Sequence, residues 1–175
     1  MKNVRFLLAG FASFLLTFNV IAQMPKPQTD SVAAKLALLP IQVGEWVGRG
    51  WIKMGPEKHE FEQHEKITTY LDGSVLQIEG TGTQEGKVIH KAIAIISYDV
   101  ASGQYKFRSF KDGYILDADC GLNPDGSFYW NMKNPRGLIQ YIISLKDGKW
   151  QETGSFSFDN GQNWMPFFEM TLTKK

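Results

Sequence analysis

From residue 45 onward, apolar and polar residues alternate singly, the period of a strand with one wet face. In 149–158 one face carries Trp150, Gly154, Phe156 and Phe158, and the other Gln151, Thr153, Ser155 and Ser157. The same alternation turns Glu152 inward with the aromatic residues. In 60–70, Phe61, Glu65 and Ile67 share a face against Glu62, His64 and Lys66. In 113–121, Tyr114, Leu116, Ala118 and Cys120 oppose Ile115, Asp117 and Asp119, and in 103–110 Tyr105 and Phe107 oppose Lys106 and Arg108. If Lys91 faces water in 87–98, then His90, Ala92, Ala94 and Ile96 face in.

Turn dipeptides punctuate these runs at fairly even spacing, among them Asp72-Gly73, Glu85-Gly86, Asp112-Gly113, Asp147-Gly148 and Asn160-Gly161. Glycine takes the positive φ of a tight hairpin, and Asp or Asn tolerates the strained position before it. The pattern predicts about ten strands, at 45–54, 60–70, 74–82, 87–98, 103–110, 113–121, 127–132, 137–145, 149–158 and 163–173. No helix-period segment separates them, so parallel crossover units are not expected. An all-β, closed antiparallel meander barrel of about ten strands is preferred over a sandwich, because closure pairs every edge. Upstream, Asp30 is placed to cap a short N-terminal helix with Val32, Leu36 and Leu39 on one face, stopped by Pro40.

The first residues change the picture of where the chain works. Met1–Arg5 is basic, Phe6–Ile21 is apolar, and Val20 and Ala22 fit the −3 and −1 positions of a small-residue cleavage site. Residues 1–22 therefore read as a secretory signal peptide, 23–30 as a flexible arm with two prolines, and 31–175 as a single β-barrel domain. A retained anchor would want a basic flank after Ala22, which the sequence lacks. The expected location is periplasmic or secreted, with no membrane contact after cleavage. The formal charge of +1 includes Lys2 and Arg5, so the mature chain is near neutral and carries no basic run to recruit nucleic acid. Cys120 is the single cysteine and excludes an internal disulfide.

Candidate chemistry is sparse. His59 and His64 stand five apart, which puts them on opposite faces of a strand and does not match the i, i+4 zinc pair. Cys120 shares its face with Leu116 and Ala118 and reads as a buried, inert thiol. Nucleophile elbows, phosphate loops and calcium loops are absent, and neither metal nor cofactor is expected. Glu65 and Glu152 stand out, because a carboxylate facing a barrel interior loses hydration at a cost of several kcal/mol unless paired or hydrogen-bonded. Such a group braces the barrel, meets a ligand, or acts as a general acid or base.

Gly44-Glu45-Trp46, a Gly-x-Trp opening the first strand after a short helix, resembles the calycin superfamily of lipocalins and fatty-acid-binding proteins. That resemblance implies that Trp46 plugs the closed end of the barrel. Trp46-Val47-Gly48-Arg49-Gly50, Glu65 before Leu71-Asp72-Gly73, and Ser97-Tyr98-Asp99 are similar to exported bacterial members with ten-stranded, nitrobindin-like barrels. Two departures matter. The late arginine that stacks on the lipocalin tryptophan is replaced by the ending Thr173-Lys174-Lys175, and no histidine follows His90 to hold a haem.

The function expected is capture of a small, largely apolar molecule in the lumen. Tyr105, Phe107, Tyr114, Trp130, Tyr141 and Phe156 are to supply wall, and Glu65, Glu152 and His90 to orient a polar end. The alternatives are a small-barrel enzyme, an isomerase or hydrolase using Glu65 or Glu152 as acid or base, and a filled barrel acting as an interaction module.

Overall fold

The computed structural model describes residues 28–175, so the segment read as a signal peptide and most of that read as an arm lie outside the described residues. One helix, α1 (Thr29–Leu36), precedes ten strands. These are β1 (Gly44–Met54), β2 (Glu57–Tyr70), β3 (Val75–Gln84), β4 (Lys87–Asp99) and β5 (Gln104–Lys111), followed by β6 (Tyr114–Leu122), β7 (Phe128–Asn134), β8 (Gly137–Lys146), β9 (Lys149–Ser157) and β10 (Met165–Lys174). Each strand pairs antiparallel with its chain neighbours, and β1 pairs with β10 from Trp46↔Lys174 to Ile52↔Phe168. The result is the closed meander barrel that the alternation implies. Asp112-Gly113 makes the β5–β6 hairpin with successive φ of 51° and 79°, the doubly left-handed turn that matches strand twist.

Closure brings β1 and β10 very close. A Cβ on Gly48 would lie 2.0 Å from the Thr171 carbonyl oxygen, and one on Gly50 would lie 2.6 Å from that of Glu169. Only glycine fits against backbone at these distances. A bulge between Pro166 and Phe168 resets the alternation of β10, leaving Phe168 and Met170 facing in and Met165 exposed. Phe167 is half-buried and packs edge-on against Tyr141.

One end of the barrel is solid. Trp46 is 1% exposed, meets Trp150 edge-to-face at 6.1 Å, and donates its indole N–H to the Gln42 carbonyl at 2.9 Å. Around it pack Ile67, Leu76, Ile96, Phe128, Ile143 and Leu172, with Leu36, Leu39 and Ile41 from the helix and the segment after it. Lys174 Nζ sits 5.9 Å from the centre of the Trp46 ring, over the ring that lipocalins cover with arginine. The helix begins two positions earlier than expected. Gln28, not Asp30, is its N-cap, and no side chain caps it; Asp30 falls in the first turn, where its charge favours the helix dipole. Among the described residues, no helix is long and apolar enough to cross a membrane.

β5 and β6 part company partway along. Their pairing ends at Phe107↔Ala118, while β6 continues on β7 from Asp119↔Asn131 and β5 continues on β4 to Asp99↔Gln104. A shallow outer cleft fills the gap, lined by Gln104, Lys106, Asp119, Cys120 and Tyr129 among others.

Trp46→Ala should lower stability by about 3–5 kcal/mol, the usual cost of emptying a large aromatic site. Urea unfolding followed by far-UV circular dichroism measures it, with Trp46→Phe as the milder control.

Candidate functional site

Above the apolar plug the barrel is hollow. The lumen is a cavity of about 610 Å³ open toward the far rim, and all ten strands contribute to its wall. Ile52, Phe61, Ile78, Ala94, Phe107, Leu116, Trp130, Met132, Ile143, Phe168 and Met170 make most of the wall apolar. Phe107, Trp130 and Tyr141 stack in a row along three strands, with ring centres 4.9 Å and 4.1 Å apart. Met54, Ile89, Lys111, Asp112 and Tyr114 form the mouth.

Inside this apolar sleeve sit Gln63, Glu65 and Glu152, which are 6%, 7% and 8% exposed. Gln63 Nε2 donates to Glu65 Oε1 at 2.7 Å, and Glu65 Oε2 has no partner. The pair fits because its register neighbours on β3, Gly82 and Gly80, have no side chains. A Cβ on Gly80 would stand 2.9 Å from both Glu65 oxygens, and one on Gly82 2.9 Å from Gln63 Oε1. The indoles of Trp130 and Trp150 are the donors nearest Glu152, although the Trp150 N–H completes no hydrogen bond. Among the described residues, no ion pair reaches either carboxyl; the charged pairs, such as Arg108–Asp117 at 2.6 Å and His64–Glu45 at 3.3 Å, lie on the outer surface.

The electrostatics follow from that isolation. Burial pushes the Glu65 carboxyl up to about 7, against the opposing hydrogen bond from Gln63. Burial pushes Glu152 up to about 8, helped by its proximity to Glu65 and opposed by the two indoles. The Tyr141 phenol is raised by burial and then by Glu152, so it stays neutral. His90 is lowered, first by burial and then by Lys111, with Asp112 opposing. Near neutral pH the lumen thus holds a largely protonated Glu152, a Glu65 close to its midpoint and an uncharged imidazole.

Of the residues singled out in the sequence, Glu65, His90, Phe107, Trp130, Tyr141 and Glu152 line this cavity. Tyr114 reaches only its rim and is 80% exposed, because it directly follows the β5–β6 turn. Tyr105 faces in but lies at the plugged end, donating to the Lys35 carbonyl at 2.9 Å and packing against Tyr98 and Phe128. Phe156 also sits on the inward side of its strand, yet it packs 4.3 Å from Phe158 near the rim and is not in the cavity wall. Phe158 itself is 66% exposed, beyond the last residue of β9. Gln63 and the glycines beside it were missed, although strict alternation from Phe61 to Ile67 puts Gln63 on the inward face. Cys120 is half-buried and its thiol is pushed up to about 11, chiefly by burial, in keeping with an inert group. No cluster of three or more potential metal ligands occurs among the described residues.

Fold and site together define a small closed barrel with an apolar lumen that carries two buried carboxyls. The chain belongs to the family described as "Protein of unknown function (DUF1579)", which matches residues 32–174. Comparison with curated protein sequences gives no match. Among solved structures it is similar to Rv2717c from M. tuberculosis, with a TM-score of 0.56 and 14% identity over 81% of this chain and 97% of that one. It is also similar to the S-type phycobiliprotein lyase CPES from Guillardia theta, with a TM-score of 0.54 and 13% identity over 77% of this chain and 88% of that one. At these identities the likeness is one of fold.

Raised carboxyls set the direction of the pH response. The folded protein holds these protons up to about 7 and 8, whereas an exposed Glu releases them near 4.5. The folded state therefore binds more protons across that window, and stability present below about 4.5 is lost as pH rises through 7 and 8. The double variant Glu65→Gln/Glu152→Gln should match wild type near pH 4.5 and exceed it at pH 9 by on the order of a few kcal/mol. Thermal unfolding across that pH range measures the difference.

Proposed function

We propose that this protein is an exported, calycin-like barrel that binds a small, largely apolar molecule in its lumen. The observation that carries this reading is the cavity itself: about 610 Å³, open at one end, apolar on most of its wall, with buried carboxyls on one part of it. Binding pockets for small molecules have this makeup, a hydrophobic enclosure with a few placed polar groups. Space of this size argues against the filled-barrel alternative. The phycobiliprotein lyase among the structural neighbours supports a barrel of this shape and says nothing of what this chain takes up.

Proton-transfer catalysis is the second reading, favoured by one specific feature. Glu65 and Glu152 share a cavity and titrate near neutrality, where a carboxyl works as acid or base. The two readings part at the fate of the bound molecule, which leaves a carrier unchanged and an enzyme altered.

Native mass spectrometry of freshly purified protein, compared with the same sample denatured, is the direct test. We expect an excess mass lost on denaturation, and a bare mass in both conditions would count against a carrier. The same spectra report whether the mature chain begins at Gln23, as export with cleavage after Ala22 requires. Glu152→Gln should keep the fold and weaken retention by about tenfold, the cost of one lost polar contact of about 1.4 kcal/mol; unchanged retention would remove Glu152 from the site.

A further inference from the structure

We propose that the lumen selects an apolar molecule carrying a basic nitrogen, with its cationic end held between Glu65 and Glu152. This rests on the lumen-binding reading above and adds the chemical class of the ligand.

The argument starts from what surrounds the two carboxyls. Glu65 on β2 is flanked in register by Trp46 on β1 and Gly80 on β3, and Glu152 on β9 by Ile143 on β8 and Met170 on β10. None of these neighbours carries charge. The remaining titratable groups of the cavity are Tyr141, which stays neutral, His90, which burial holds neutral, and Lys111, Asp112 and Tyr114 at the mouth. Lys111 Nζ lies 4.0 Å from an Asp112 carboxylate oxygen, so the one lysine in the wall already faces an acid. The lumen therefore holds two buried acids, a neutral imidazole and no buried cation, and Glu65 Oε2 is buried with no partner at all.

That arrangement discriminates among amphiphiles by charge. An anionic head group would meet two acids and find no buried cation to receive it. A neutral hydroxyl or carbonyl could accept one carboxyl proton and would leave the second acid as it is. An ammonium group answers the site fully, because a charge-assisted hydrogen bond in a low-dielectric enclosure is much stronger than a neutral one. On binding, the ligand keeps its proton and stays cationic, while a carboxyl releases its own proton to solvent and becomes the counter-ion. The acids' elevated affinity for protons in the empty protein makes that release measurable near neutral pH.

The test uses three probes of one chain length, decylamine, decan-1-ol and decanoate, below their aggregation limits at pH 7. Titration calorimetry in two buffers of different ionisation enthalpy gives both affinity and protons released. We expect decylamine to bind at least about tenfold more tightly than decanol, with decanoate weakest, and roughly one proton released with the amine and none with the alcohol. In Glu65→Gln/Glu152→Gln the amine should fall to the alcohol's affinity and its proton release should vanish. A far-UV circular dichroism spectrum and a thermal transition at pH 4.5 that match wild type show that the variant barrel is intact. Equal binding of amine and alcohol by wild type would overturn the selection for a basic nitrogen and leave the lumen reading standing. Tightest binding of decanoate would overturn it in favour of an anchor at Lys111. Failure of all three to bind would overturn the lumen reading as well.

Discussion

Hydrogen bonds between β1 and β10 turn a curled ten-strand sheet into a barrel, and they join residues more than a hundred positions apart in the chain. The pairing runs seven residues and depends on Gly48 and Gly50, where any Cβ would strike the carbonyl of Thr171 or Glu169. Without it, β1 and β10 would each present a long unpaired edge, open to association with other chains. The plug depends on the same closure. Trp46 heads the closing strand and Leu172 sits near the end of its partner, so the apolar floor is completed only when the ends of the sheet meet.

A floor made rigid in this way lets the opposite half remain hollow. The contacts of Trp46, Trp150, Ile96 and Phe128, with helix α1 laid across that end, supply a dense core whose stabilisation does not require filling the lumen. The lumen can then hold groups that no compact core would tolerate. Two carboxyls without counter-ions are a stability cost, met by keeping them protonated rather than by pairing them. It is on this pair, in the wall of an open cavity, that the proposed binding of a ligand draws.

Most of this architecture is legible in the sequence because a barrel repeats one simple rule. Alternation locates the strands to within a few residues, and the Asp-Gly and Asn-Gly pairs locate the turns. It also turns Glu65, Glu152 and His90 inward, and the cavity wall contains all three. What alternation does not encode is height along the barrel axis. Tyr105, Tyr114 and Phe156 all lie on the inward side of their strands, yet one is in the plug, one on the rim and one packed beside the rim. Height is set by the stagger between strands, a long-range quantity that no local pattern carries. Bulges at Gly82–Thr83 and at Pro166–Phe168 add shifts of register that are equally silent in sequence.

The glycines of β3 carry one more consequence. Gln63 and Glu65 lean toward positions 82 and 80, where a wall of ordinary residues would already be full. Each pair behaves as a shared allotment of volume across a strand boundary, so bulk gained on one side moves the side-chain tip on the other. Chains that keep this barrel should vary these positions jointly. A methyl appearing at 80 displaces the Glu65 carboxyl from its place beside Gln63, and the loss of the long acid at 65 frees 80 to grow.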